Sequence, residues 1–394
     1  MSATFRVLPT LFLSVLCLLV FPTCAAAQTE VVLYTFTGQD DGAWPQAGLT
    51  PDAQGNLYGT TNIYGPGGYG TVFVLSPGRN WTFNTIHGFC VDPVCHDGAY
   101  PIAGVSLDSA GDVFGTTSSG GGAQSWGVVY ELSPARGTWN YTRLRNFDHA
   151  NSYPSTKVTI DQQGRLFGTT TGDPVAGGSH TVYELVPNQS GTWNHRTIHD
   201  FNGIGLPISA VAIDRVGNLY GMVDDNPGGI FQLSPQPGGT WTYKLIAPFI
   251  GRGDLVLDNS GNIFGTGSGV VFRLKHTKSG WIQTVLYTFR PNDGGNHSGL
   301  AIGSDGSLYG TSGNGGLPGC VNAYGCGSVF KLSPTPSGWV YTTLYQFTGG
   351  TDGGNPVGGV VIDQAGNLFG ATNYGGVPGG CGFFGCGVLF EITP

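Results

Sequence analysis

The residues with the most chemistry to offer are histidines standing close to carboxylates: His96 beside Asp97, His149 beside Asp148, and His297 four residues after Asp293. An imidazole and a carboxylate that reach one substrate can share acid and base duties in hydrolysis or elimination of a polysaccharide. Asp41 with Trp44, together with Tyr100, Tyr153 and Asp352, adds a second kind of capability. Carboxylates accept paired hydrogen bonds from sugar hydroxyls, and flat aromatic rings stack on sugar faces. Six further groups are thiols in close pairs, Cys90 and Cys95, Cys320 and Cys326, Cys381 and Cys386. Their spacing, with no second cluster to complete a tetrahedral site, does not read as zinc, so local disulfides are expected and no metal or cofactor. The sequence also lacks a nucleophile elbow, a His-Glu-x-x-His helix and an Asp-x-Asp-x-Asp calcium loop.

These groups must be positioned by something, and the chain shows what. A five-residue core, Gly-Asn-Leu-Tyr-Gly in its clearest form, begins at Gly55, Gly111, Gly164, Gly217, Gly261, Gly306 and Gly366. Spacings of 56, 53, 53, 44, 45 and 60 residues mark a tandem repeat with insertions in particular units. Three residues ahead of the opening Gly stands Asp52, Asp108, Asp161, Asp214, Asp258 or Asp363, with Gly303 in the sixth unit. Asp-x-x-Gly between apolar runs is a tight hairpin turn, so these aspartates are expected to be structural. Each unit continues with a run such as Thr71-Val-Phe-Val-Leu-Ser-Pro77, and six units add a run opened by Trp81, Trp139, Trp193, Trp241, Trp281 or Trp339. A Gly/Ala-rich segment before each Asp-x-x-Gly completes four short strands per unit.

Four-stranded units at this period form propeller blades. The small-residue strand, A, faces the central channel, and strands B, C and D follow outward. The seventh unit ends after strand C, while residues 30–36 carry a D-type strand, Glu30-Val-Val-Leu-Tyr-Thr-Phe36. The sequence therefore predicts an all-β, seven-bladed β-propeller of four-stranded blades, closed by the N-terminal strand completing the last blade. In that geometry the A–B and C–D turns share one face and are short. The D–A and B–C loops share the other, and they hold the insertions, the cysteines and the irregular residues Asp41, Trp44, His96, Asp97, Tyr100, His149, Tyr153, Asp293, His297 and Asp352. Binding is expected there. Arg252-Gly-Asp254 looks like an adhesion tripeptide but falls at an inner strand and is set aside.

The pattern Leu-Tyr-x-Phe-Thr-Gly-Gly-x-Asp-Gly-x-x-Pro, then Gly-Asn-Leu-Tyr-Gly-Thr-Thr, then Gly-x-Val-Phe-x-Leu-x-Pro, resembles the bacterial Gloeobacter/Verrucomicrobia-type tandem repeat. Residues 345–394 and 33–77 fit it best, while the units near Met222 and Gly267 lack the Asp-Gly-x-x-Pro stretch. The resemblance implies exported, surface-associated proteins with variable anchors. It carries no established catalytic residues.

The chain ends agree with export. Arg6 precedes the apolar stretch Leu11–Phe21, and Ala25-Ala26-Ala27 supplies a cleavage site, so residues 1–27 read as a signal peptide and 28–394 as the propeller. An uncleaved anchor or a lipoprotein at Cys24 are the alternatives. Secretion to the medium or periplasm follows, with no membrane span left after cleavage. Gly accounts for 69 of 394 residues and aromatics for 12%, against 10% charged residues and 2 Met, as an all-β protein requires. The formal charge of −8, with no basic cluster, excludes nucleic acid as a partner. The expected molecule is a monomer that binds extracellular glycan or protein without catalysis. An extracellular hydrolase or lyase acting on polysaccharide is the alternative.

Overall fold

A computed structural model describes residues 28–122, 126–148, 152–172, 178–201, 205–224, 228–248, 253–267, 269–290, 293–295, 297–317, 320, 325–376 and 380–393. These form seven antiparallel sheets in a ring, a seven-bladed β-propeller. Blade 1 runs outward through strands A (Thr50–Pro51), B (Leu57–Thr61), C (Thr71–Ser76) and D (Thr82–Gly88). Blade 4 departs from the pattern, since two short pieces, Leu206–Pro207 and Ala212–Ile213, share the innermost position against Leu219–Asp224.

The repeat motif has a mechanical explanation in two parts. Each Asp-x-x-Gly turn is closed by the Asp carboxylate, which in blade 1 accepts from the amides of Gln54 and Asn56 at 2.9 Å each and from Asn56 Nδ2 at 2.6 Å. Gly55 takes φ +84° there, a conformation open to glycine at little cost. The same clasp recurs at Asp108, Asp161, Asp214, Asp258 and Asp363. The second glycine of the motif does something else. A Cβ on Gly59 would lie 2.5 Å from the ring of Phe73, and Gly370 meets Phe390 in the same way. Strand B is thus hollowed at one residue so that the fully buried aromatic of strand C can lie across it.

Blades are joined by apolar wedges, seven in number among the described residues, one at each joint of the ring. Phe264 and Val271 of blade 5, for example, pack with Leu300, Leu308, Phe330 and Leu332 of blade 6. The Trp that opens strand D reaches back to the B-strand aromatic of the preceding blade: Trp139 to Tyr58, Trp193 to Phe114, Trp241 to Phe167, Trp281 to Tyr220. Trp81 reaches Phe369, which joins blade 1 to blade 7.

The ring is closed by the N-terminal strand, Thr29–Thr35, which pairs antiparallel with Val388–Thr393 and completes blade 7. The register breaks between Val32 and Tyr34, at the place where each other C–D pair has its bulge, as between Val72 and Phe73. The borrowed strand is therefore a true D strand with one foreign residue. Opposite the Leu or Ile of strand C the other blades place Phe83, Tyr141, His195, Tyr243, Gln283 or Tyr341, but this strand places Glu30. Its Oε1 is buried with no hydrogen-bond partner among the described residues. Burial, and next the charge of Asp352, push its pKa from 4.5 up to about 7. The folded protein thus holds this proton more tightly than the unfolded chain, so stability should fall as pH rises from about 4.5 to about 7. Glu30→Gln is expected to raise the melting temperature at pH 8 and leave it unchanged at pH 4. The gain should be about 1 kcal/mol, discounted for the half-exposed side chain. Equal shifts at both pH values would refute the assignment.

Candidate functional site

The D–A loops are built around their carboxylates. Asp41 accepts from Tyr34 Oη at 2.9 Å, from the Thr37 amide and hydroxyl at 2.7 Å each, and from the Gln39 amide at 3.0 Å. Asp352 does the same with Tyr345 Oη and with the amide and hydroxyl of Thr348. Asp293 takes Tyr287 Oη and the Arg290 amide, both at 2.7 Å. In blade 1 a histidine stands in for the tyrosine: His87 Nε2 lies 2.9 Å from Asp97 Oδ2, and the Cys90 amide donates to Asp97 Oδ1. Burial and the adjacent carboxylates drive the Tyr34 and Tyr345 hydroxyls above the usual tyrosine range. These four aspartates hold their loops to strand D.

The acid and base pairs suggested by chain proximity are not assembled where the structure describes them. His96 is exposed and bonds Asp92, at 3.2 Å, while Asp97 turns inward to His87. His149 and the His297 side chain lie outside the described residues. The His297 backbone opens strand A of blade 6, opposite Ser312.

The aromatics of this face do gather. Trp44, Tyr100 and Tyr153 occupy equivalent half-buried positions, each at φ +57°, where the D–A loop meets the B–C loop of the preceding blade. Trp44 donates through its amide to Cys386 O and through Nε1 to Gly385 O. Tyr100 meets Tyr69 edge-on at 5.2 Å, and Tyr153 meets Trp126 at 5.5 Å. The result is an arc of aromatic residues over the joints from blade 7 to blade 3. At its blade-7 end Phe383 is 87% exposed, beside Phe384. The disulfide Cys381–Cys386 encloses both, and the bridges Cys90–Cys95 and Cys320–Cys326 clamp two further loops of this face.

Inside the arc, the loop-side end of the channel holds a cavity of about 260 Å³ bordered by Gln46, Gly48, Gly104, Lys157, Ala210 and Asp254. Neither Lys157 nor Asp254 was among the residues expected from the sequence to bind. The signal was there: four residues ahead of each turn the chain reads Gly48, Gly104, Lys157, Ala210, Asp254, Gly299 and Gly359, small in five blades and charged in two. No group of His, Cys, Asp and Glu residues suited to a metal ion exists among the described residues, and none of their helices is long and apolar enough to cross a membrane.

Residues 19–231 match the family profile described as the Gloeobacter/Verrucomicrobia repeat. No curated protein matches the sequence. Among solved structures, the extracellular domain of a provisionally assigned one-component system of Bacteroides thetaiotaomicron superposes with a TM-score of 0.58 at 11% identity, over 92% of this chain and 40% of that one. A provisionally assigned 6-phosphogluconolactonase from Bacteroides uniformis gives 0.55 at 15% identity, over 83% and 90%. PorZ, a surface component of the type-IX secretion system of Porphyromonas gingivalis, gives 0.52 at 15% identity, over 92% and 47%. At these identities the likeness is one of fold.

Proposed function

From the premise that this chain belongs to the Gloeobacter/Verrucomicrobia repeat family, we propose that it is an exported, non-catalytic propeller that binds a glycan or protein of the cell exterior through its D–A/B–C loop face. The observation that carries this reading is Phe383. A phenyl ring left 87% exposed gives up the favourable burial that such a side chain ordinarily finds, and the short loop tied by Cys381–Cys386 leaves it little freedom to fold away. Rigid, exposed aromatics beside a row of half-buried ones are the anchors that binding faces use.

Catalysis finds less support. The D–A loop carboxylates of Asp41, Asp97, Asp293 and Asp352 are each engaged by donors of their own loop and by a strand D side chain. Export is supported by three disulfides, which persist in oxidising compartments.

The test is a screen of the purified protein against polysaccharide arrays and surface-protein extracts, with mass spectrometry of every glycan after incubation. Saturable binding with unchanged glycan is expected. Shortened or unsaturated products that accumulate with time would replace the binding reading with the enzymatic one.

A further inference from the structure

The charges of Lys157 and Asp254 in the channel are not called for by the repeat. In five of the seven blades the equivalent position is Gly or Ala, and the ring closes without a side chain there. Between blades 6, 7 and 1 the inner backbones touch: a Cβ on Gly358 would fall 1.7 Å from Gly48 N, and one on Gly359 would fall 2.3 Å from Gly299 O. The open part of the channel is thereby pushed toward blades 1 to 5, where the two charged residues project.

Their geometry sets them apart. Lys157, on blade 3, extends past Gly104 of blade 2, with Cδ 3.8 Å from where a Cβ would be, and its Nζ donates to Thr50 Oγ1 of blade 1 at 2.9 Å. Asp254, on blade 5, accepts from the Ala210 amide at 3.2 Å through Oδ1, while Oδ2 points toward Gly299 of blade 6. Among the described residues no ion pair within 4 Å joins the two. An ammonium carries three donors and a carboxylate two acceptor oxygens, so hydrogen-bonding capacity is left over at both ends of the cavity. Lys157 is partly buried, and Asp254 is exposed to the channel. Burial holds the Lys157 ammonium below the ordinary lysine range, with Asp254 acting against the shift. Two opposite charges that form no ion pair, where the repeat calls for a small residue, depart from local rules in the way functional sites do.

We propose that the channel mouth is a binding site for a small zwitterion, an amino acid whose carboxylate meets Lys157 and whose ammonium meets Asp254. A ligand with both charges neutralises both residues at once, which a simple anion or a simple amine does not. The space of about 260 Å³ equals roughly eight or nine waters at about 30 Å³ each, enough for an amino acid. No aromatic ring borders it among the described residues, as a sugar would want for stacking. This site is separate from the rim aromatics and does not depend on what they bind.

The experiment is isothermal titration of the full chain with glycine, β-alanine, γ-aminobutyrate and the twenty protein amino acids, with propionate, propylamine and glucose as singly charged and neutral controls. At least one zwitterion is expected to bind at least tenfold more tightly than every control. Lys157→Gly and Asp254→Gly, which restore the residue of other blades, should each weaken that binding tenfold or more without lowering the melting temperature. Lys157→Gln and Asp254→Asn keep the shape and should weaken it likewise. Absence of saturation by every zwitterion, equal binding of propionate or propylamine, or full binding by the double glycine variant would overturn the proposal.

Discussion

Deleting residues 30–36 should lower the melting temperature by about 10 °C or more and turn a monodisperse protein into an aggregating one. The segment supplies most of the six register pairs of the closing D strand and brings Phe36, which is buried in the wedge between blades 7 and 1. It also carries Tyr34, which stacks on Phe83 of blade 1 at 3.9 Å and binds Asp41. Loss of a buried Phe alone costs about 3–5 kcal/mol, and each ladder hydrogen bond contributes about 1 kcal/mol. Without the strand, Val388–Thr393 becomes an open edge able to pair with another copy. A synthetic peptide covering residues 28–38 should restore the melting temperature and the monomer when added in excess. Differential scanning calorimetry with light scattering reads both quantities. An unchanged melting temperature would mean that the ring is held by other joints.

The fold was readable because its instructions repeat. The turn aspartates, the strand B glycines and the Trp of strand D each recur at fixed offsets, and each turned out to have one mechanical task performed seven times or nearly so. The half-unit at each end gave the closing strand for the same reason. Function was harder to read, because a site depends on where a residue departs from its repeat and which way it faces. Asp97 stands next to His96 in the chain but bonds His87, since strand D of this unit has histidine where others have tyrosine. Asp254 falls at an inner strand, and in a propeller the inner strand is the channel wall. Lys157 and Asp254 are the two charged residues in a ring of small ones, a signal carried by position within the repeat and not by neighbours along the chain. Phe383 and Phe384 carried a weaker signal, an apolar pair inside a cysteine-closed loop, and nothing in the sequence fixes how far they protrude.

The second large effect concerns the binding face itself. Phe383→Ala removes an exposed ring without touching the core, so the variant should fold as the parent does while losing the most exposed anchor of the arc. Tenfold or greater loss of affinity is expected for the glycan or protein found in the screen, in keeping with aromatic hot spots. Trp44, Tyr100 and Tyr153 lie along the same arc, but their loops depend on them at positive φ, so each alanine variant must be paired with a melting curve. Arg79 and Gln189, exposed in C–D turns on the opposite face, are the matched controls. The measurement is the dissociation constant of that ligand, by titration, for the parent, Phe383→Ala, Tyr100→Ala, Arg79→Ala and Gln189→Ala. The account predicts loss in the first two variants and parental affinity in the last two. Loss in Arg79→Ala or Gln189→Ala with parental affinity in Phe383→Ala and Tyr100→Ala would place the function on the other face.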